Sequence, residues 1–392
     1  MTPRTPPGFP RRTAILGSTG TIGEKALAVV ARHPDRFQVV SLAAGRSGAR
    51  LAEQTAKTGA RKAVLAQANA EAPPSLPAGV TFSTGAEAVT RLASDPEVDL
   101  VVNGIVGRAG LEASLAAVEA GKMLALANKE SLVLAGELLM ATARARGAQV
   151  LPVDSEHSGL FQCLEGRDPR SISRVVLTAS GGPFRGRSRA DLIGVTPAEA
   201  LRHPVWPMGP RITVDSATLL NKGLEVLETH WLFDMPLDRI DVWIHPQSVV
   251  HALIEFLDGS LLAQLSAPDM ILAVQYAMSY PERWEAGAPA CRLPDWGRLS
   301  FEEPDHEVFP ALRLAYRAGE KGGTAPVALN AADEVAVEAF LSGRLPFAEI
   351  VPLVTEVVER TVPRPADSLA AVSAADAEAR EAARTLLAAR RV

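Results

Sequence analysis

The residues best equipped for chemistry form one short stretch, Val153-Asp154-Ser155-Glu156-His157, between the run Gln149-Val150-Leu151 and the apolar Gly159-Leu160-Phe161. A buried strand running straight into a helix has this pattern, and in an open α/β sheet ligands gather beyond the carboxyl ends of the strands. With the backbone still extended there, Asp154 and Glu156 lie two residues apart on one side and can share a hard cation. The plainer alternative is a helix N-terminus, capped by Asp154 or Ser155, with Glu156 favoured by the macrodipole. This stretch alone leaves both readings open.

A second group lies in Val214-Asp-Ser216-Ala-Thr-Leu-Leu-Asn221-Lys222-Gly-Leu-Glu225-Val-Leu-Glu228, whose spacing predicts one helix capped near Asp215 or Ser216. Asn221, Lys222 and Glu225 fall three or four apart and share a face. They form either a solvated charge pair, or a phosphate site made by the helix N-terminus, Ser216 and Lys222 that leaves Glu225 for a metal. Lys129, in Asn128-Lys129-Glu130, follows an apolar strand and is expected to hold a substrate oxygen. The segment His203-Pro-Val-Trp206-Pro-Met208-Gly-Pro210 cannot be regular helix. A Trp and a Met on so stiff a loop suit a lid over a substrate, the alternative being a Trp packed into the core. His251, alternating with apolar neighbours, reads as a satisfied core or edge histidine.

These residues need a scaffold and a cofactor, and the start of the chain offers both. Thr13–Leu16 is a short apolar strand, followed by Gly17-Ser-Thr-Gly20-Thr-Ile-Gly23 and a helical pattern through Ala31. Strand, glycine turn and helix lay a pyrophosphate on backbone N–H groups, although G-x-x-G-x-x-G is a variant of the usual spacing. A second strand, Phe37–Ala43, ends in Ala44-Gly45-Arg46-Ser47. An arginine with a hydroxyl neighbour at that point suits a 2′-phosphate, which favours NADP over NAD. Strands at 98–103, 123–127 and 149–153 alternate with helices from Leu111 and Ser131, the order of a parallel doubly wound sheet.

Farther on the texture changes. Arg174–Ala179 is a strand ending in Ser180-Gly181-Gly182-Pro183, a small-residue turn that lets backbone approach an anion. Residues 240–244, 245–256 and 260–265 read as a strand and a hairpin turned at Asp258-Gly259. Helical patterns begin at Val308, with 325–341, 347–360 and 368–391 as candidates. The expected division is a frayed tail (1–11), an NADPH-binding domain (12–150), an α+β catalytic domain (151–285, lid about 202–212), a linker (286–306) and a C-terminal helical domain (307–392).

Composition narrows the class. Across 392 residues, 47% hydrophobic content and a net charge of −5 give no general pull toward nucleic acid or anionic membrane, so any anion site is local. No stretch of 18 apolar residues marks a spanning helix, and two cysteines without paired spacing point to a reducing, cytoplasmic setting.

Taken together, the Gly17–Gly23 loop, Ala127–Ser131, Pro152–Ser158, Thr178–Phe184, His203–Gly209, Val214–Glu225 and Ile244–His251 resemble the 1-deoxy-D-xylulose 5-phosphate reductoisomerase family. The resemblance implies NADPH- and divalent-metal-dependent rearrangement and reduction of 1-deoxy-D-xylulose 5-phosphate to 2-C-methyl-D-erythritol 4-phosphate, in non-mevalonate isoprenoid synthesis, by a homodimer. By matching positions it implies Asp154, Glu156 and Glu225 as metal carboxylates, for which an all-oxygen set suits Mg²⁺ or Mn²⁺, with Co²⁺ a substitute. It places Ser180, Ser216, Asn221 and Lys222 on the substrate phosphate, Lys129, Ser155 and His203 on the sugar chain, and Trp206 and Met208 in the lid. Lys129 and His203 are carried over with the three acids as catalytic residues. Thr19, Gly20, Thr21, Ile22, Gly45, Arg46, Ser47, Asn128, Glu130 and Gly209 match NADPH contacts. Arg211 and Thr21 stand where relatives carry lysine and serine, and the run Asp269-Met270-Ile-Leu-Ala-Val274 lacks the usual arginine and proline. A semialdehyde dehydrogenase is the competing enzyme class, but neither Cys163 nor Cys291 follows a strand end as its nucleophile would. A non-catalytic nucleotide sensor would have no use for three metal carboxylates, a phosphate pocket and a lid.

Overall fold

The computed structural model describes residues 8–67, 75–206 and 208–390. Its contacts divide the chain into two compact units, the first made of Met1–Ser131, Leu138–Ser158 and Asp269–Pro289, the second of Leu132–Glu137, Gly159–Pro268 and Ala290–Val392.

In the first unit, β1 (Arg11–Leu16), β2 (Phe37–Ala44), β3 (Lys62–Leu65), β4 (Thr81–Thr84), β5 (Leu100–Asn103), β6 (Met123–Leu126) and β7 (Gln149–Pro152) form one sheet. The order is β4-β3-β2-β1-β5-β6-β7, and every neighbouring pair is parallel. This is the doubly wound arrangement that the alternation predicts. The central strands β5 and β6 are buried along their whole length and β1 everywhere but Arg12, as expected where both faces are covered. Strand order reverses between β1 and β5, which opens a crevice at their carboxyl ends. Two strands at one side of the sheet, β3 and the edge strand β4, have no counterpart among the sequence expectations. Each is four residues long, and the outermost, Thr-Phe-Ser-Thr, has no buried residue to give an apolar signal.

Residues 8–11 correct the expectation of a frayed tail; residues 1–7 lie outside the described residues. Arg11 opens β1 and is buried, its guanidinium donating to the carbonyls of Met278 and Tyr280 at 2.6 Å each. Phe9 packs on Trp284 with ring centroids 4.7 Å apart. The same contacts explain why 269–289, expected within the catalytic domain, joins the nucleotide unit. Asp269 caps the helix Met270–Ser279 by accepting from the Ile271 N–H at 3.0 Å, and it pairs with Lys25 at 2.6 Å. The atypical run after Asp269 therefore still forms a capped helix.

In the second unit, β8 (Ile172–Ala179), β9 (Ile240–Ile244), β10 (Val250–Phe256) and β11 (Leu261–Leu265) form a sheet of order β11-β10-β8-β9. β10 and β11 make the expected hairpin, turned at Gly259 with φ 82°. The helices Ala311–Lys321, Ala325–Leu341, Ile350–Arg360 and Leu369–Ala389 share a continuous apolar core with this sheet, through Val175, Leu177, Leu224, Leu329 and Leu353. The helical region therefore belongs to the sheet's unit rather than forming a separate body. The single helix expected over 214–228 is two helices, Pro210–Thr218 and Leu220–Phe233, so Asp215 and Ser216 lie inside the first instead of capping it. Pro210 at the first helical position starts that helix earlier, and Leu219, with φ 63°, breaks it. A non-glycine residue held in the left-handed region costs on the order of 1–3 kcal/mol and persists where its surroundings hold it.

Gly23 fixes the dinucleotide turn. A Cβ there would lie 2.3 Å from the Gly17 carbonyl oxygen and 2.4 Å from the Ser18 Cα, backbone that cannot move without unmaking the loop. Gly23→Ala is expected to cost about 1–3 kcal/mol of stability by overpacking and to weaken dinucleotide binding, measurable by thermal denaturation and cofactor titration.

Candidate active site

In the first unit the chemistry-bearing residues line the carboxyl edge of the sheet. After β1, the N–H groups of Gly17 and Ser18 both donate to the Ala43 carbonyl, at 2.9 and 2.8 Å, and Gly20 begins the helix Thr21–Arg32. No side chain caps that helix, so the N–H groups beside Thr19, Gly20, Thr21 and Ile22 suit an anion. After β2, Gly45, Arg46 and Ser47 follow, with Arg46 exposed and its Nε donating to Gln67. The Gln67 N–H in turn donates to the Gly45 carbonyl at 3.2 Å, which ties this arginine loop to the end of β3.

After β6, Asn128 and Glu130 are buried and their side chains shape the neighbouring loop. Asn128 Nδ2 donates to the carbonyls of Ile105 and Gly107 at 2.7 and 2.8 Å, and Glu130 accepts from the Gly107 N–H at 3.0 Å. The loop they hold, Gly104-Ile-Val-Gly107, follows β5 at the crevice and leaves Val106 71% exposed. Sequence reasoning missed this loop. Its signal is the glycine pair after a strand end, beside which a Gly17 Cβ would sit 2.8 Å from the Gly104 carbonyl oxygen.

After β7 the backbone leaves the strand at Val153 and the helix Ser155–Leu164 begins. The acids therefore meet through a helix start rather than through strand alternation, with carboxylate oxygens of Asp154 and Glu156 within 4.8 Å of each other. Lys129 Nζ pairs with Asp154 at 2.5 Å, the two side chains only 7% and 13% exposed, and Ser155 Oγ donates to Glu156. His157, fully buried, has Nδ1 3.8 Å from Asp154, too far for a hydrogen bond.

In the second unit Leu219 turns the chain so that the helix Leu220–Phe233 carries Asn221, Lys222 and Glu225 on one side. Glu225 is 2% exposed, and its two oxygens take one donor each, Asn221 Nδ2 at 2.6 Å and the Lys222 ammonium. Glu225, assigned to the metal, is thus bonded to Asn221 and Lys222, assigned to the phosphate, within one helix. The turn after β8, which carries Ser180, passes close to Ser216 through Gly182, where a Cβ would lie 2.6 Å from the Ser216 carbonyl oxygen. Gly181 and Gly182 both have positive φ, which keeps this approach open. Gly209, at the far end of the loop, accepts from the Thr213 N–H and hydroxyl at 3.1 and 2.8 Å. His251 is satisfied as expected, its Nε2 2.9 Å from Ser266 Oγ, and the Trp206 ring lies 6.4 Å from its own. Pro207 lies outside the described residues.

His203 ties the loop to the serine turn. Its Nδ1 accepts the N–H groups of Val205 and Trp206 at 3.2 and 2.8 Å, so Nε2 carries the proton and donates to Ser180 Oγ at 2.9 Å. Burial pushes this imidazole down from 6.5 to about 4. Because the folded value lies below the unfolded one, the unfolded chain binds more protons between them; the contribution to stability is complete above the unfolded value and is lost as pH falls toward the folded one. Histidine NMR titration should find the Nε2–H tautomer in mildly acidic solution, with protonation only below the range of an ordinary histidine; titration near 6.5 would contradict the geometry.

Comparison with known proteins accords with this arrangement. Three family profiles match in chain order: 1-deoxy-D-xylulose 5-phosphate reductoisomerase over 13–136, its C-terminal domain over 150–233, and the DXP reductoisomerase C-terminal domain over 265–382. The 1-deoxy-D-xylulose 5-phosphate reductoisomerase of Symbiobacterium thermophilum is 53% identical over 380 residues, covering 95% of this chain and 97% of the relative. The solved reductoisomerase from Zymomonas mobilis in complex with NADPH is 40% identical, with a TM-score of 0.89 over 96% of this chain and 99% of that one. A DOX-P reductoisomerase in complex with NADPH, fosmidomycin and magnesium is 36% identical, with a TM-score of 0.89 over 96% and 98%. The chain belongs to the 1-deoxy-D-xylulose 5-phosphate reductoisomerase family.

Proposed function

We propose that the chain converts 1-deoxy-D-xylulose 5-phosphate to 2-C-methyl-D-erythritol 4-phosphate with NADPH and a divalent metal ion, as its family name implies. The observation that carries this reading is the row of strand ends in the first unit. The uncapped glycine-loop helix after β1 and the Lys129–Asp154 pair with Glu156 after β7 share the carboxyl edge of one sheet. Relatives solved with NADPH and with magnesium support the choice of cofactors.

Asp154, Glu156 and Glu225 are the proposed metal ligands. Carboxylate oxygen is the donor that Mg²⁺ and Mn²⁺ prefer, and all three side chains are half-buried or buried, where a carboxylate needs a cation. When bound, the ion supplies Lewis acidity to adjacent substrate oxygens. Lys222, Asn221, Ser180 and Ser216 would hold the substrate phosphate, the Glu225 oxygens being given over to the ion. Lys129, Ser155 and neutral His203 donate to oxygens along the sugar chain, and Trp206, with Met208, covers them to exclude water. Thr19 to Ile22 cradle the NADPH pyrophosphate, Arg46 and Ser47 hold the 2′-phosphate, and Gly45, Asn128, Glu130 and Gly209 complete the dinucleotide site. Binding the remote phosphate orients the reacting carbons, so weakening it lowers turnover as well as affinity.

The active form is a cytoplasmic homodimer, and the lid spans about 202–212. Support for the setting comes from two free cysteines, Cys163 and Cys291, and from the finding that no helix among the described residues is long and apolar enough to cross a membrane. Support for the dimer comes from the family resemblance alone.

NADPH oxidation with 1-deoxy-D-xylulose 5-phosphate, with and without Mn²⁺, tests the activity directly; no metal-dependent oxidation would refute it. Glu225→Gln is expected to keep NADPH affinity while losing on the order of 10²–10³ in kcat, the scale of removing one preorganised charge contact. Arg46→Ala should lower kcat/KM for NADPH by about 10–100-fold, the worth of a charged hydrogen bond, and leave NADH unaffected. Equal use of NADH and NADPH by the unaltered protein would contradict the assigned role of Arg46.

A further inference from the structure

A largely buried cluster of charged residues outside the proposed site lies where the loop that ends at Gly209 passes into the helix Pro210–Thr218. Arg211, the second residue of that helix, sends one terminal nitrogen to Glu334 at 2.7 Å and the other to Asn330 at 2.8 Å and Asp333 at 3.3 Å. Its Nε lies 3.6 Å from Asp215 one turn along. Glu334 also accepts from Arg380, which is held by Asp376 at 2.8 Å on the last helix, Leu369–Ala389. Asp333 is fully buried, as is Asn330. Two arginines thus face four acids, Asp215, Asp333, Glu334 and Asp376. Burial pushes the Asp333 carboxyl up to about 6 against the pull of Arg211.

Nothing in the proposed chemistry calls for these groups, yet they fix the exit of the loop. His203 anchors its entrance through Ser180 and the two backbone N–H groups. At the exit Gly209 is bonded to Thr213, and the helix it starts is pinned two residues later by a planar fork that three acceptors on Ala325–Leu341 define. A lysine would present a point charge there and specify direction less sharply.

We propose that Arg211, seated by Asn330, Asp333 and Glu334, is a positioning residue for the reaction: the post through which the C-terminal helices hold the hinge of the substrate loop. This rests on the reading of that loop as a lid. The fork keeps the direction of the helix that follows the loop constant. Charge at position 211 serves folding, and the geometry of the fork serves turnover.

The test uses the full chain with NADPH and Mn²⁺, comparing Arg211→Lys, Glu334→Gln and, as a reference for the lid itself, Trp206→Ala. Arg211→Lys keeps the charge, so its melting temperature and NADPH affinity should stay near those of the unaltered protein. Hydrogen exchange over 203–209 should nevertheless quicken, kcat should fall by about tenfold, the scale of one well-aligned hydrogen bond, and KM for the sugar phosphate should rise. Glu334→Gln should act in the same direction; if it does not fold, Arg211→Lys decides alone. Unchanged exchange over 203–209 and unchanged kcat in Arg211→Lys would overturn the inference. If Trp206→Ala is then impaired, only the hinge role falls; if Trp206→Ala is also normal, the lid reading falls with it.

Discussion

A carboxylate withdrawn from water needs a cation beside it, and this constraint organises the molecule. An unpaired buried charge is costly enough that the group would neutralise instead. Asp154 is matched by Lys129, Glu225 by Lys222, and Asp333 with Glu334 by Arg211. Each pair is bound to a different device of the fold: a strand end, a helix broken at Leu219, and a helix joined to the C-terminal bundle. The first two pairs hold acids proposed above as metal ligands, and on that proposal a divalent ion takes the place of the ammonium group.

The parallel sheet supplies the other half of the account. Its strands all end on one edge, which lines up the glycine loop, Arg46, the Gly104–Gly107 loop, Lys129 and the acids without any element having to leave its regular path. The buried polar network around Asn128, through Ser131, Ser114 and Asn103, then fixes that edge in detail. Such a network specifies a conformation because every member has its partner. Lys129, between Asn128 and Glu130, inherits that rigidity.

Much of this was legible in the sequence. Alternating apolar runs and helical spacing mark five of the seven strands of the first sheet, and the Asp258-Gly259 turn marks the hairpin. The residue types at Asp154, Glu156, Lys129 and Glu225 point to oxygen ligation and anion binding before any coordinates. What stayed hidden has physical reasons. β3 buries only three residues, too short a run to stand out, and β4 at the edge buries none. Leu219 breaks a helix by a backbone angle that leucine does not advertise. Residues 8–11 are anchored by cation and aromatic contacts to residues 278–284, long-range partners that no local pattern reveals. The Arg211 fork is hidden likewise, since its acceptors lie more than a hundred residues away.

The central proposal is that Asp154, Glu156 and Glu225 are the ligands of one divalent ion. Anomalous diffraction from crystals grown with Mn²⁺ and NADPH tests this most directly. The account predicts a single manganese peak about 2.1 Å from oxygens of Asp154, Glu156 and Glu225, with the Lys222 ammonium turned away from Glu225. A peak held by Asp154 and Glu156 alone, with Glu225 still paired to Lys222, would contradict it.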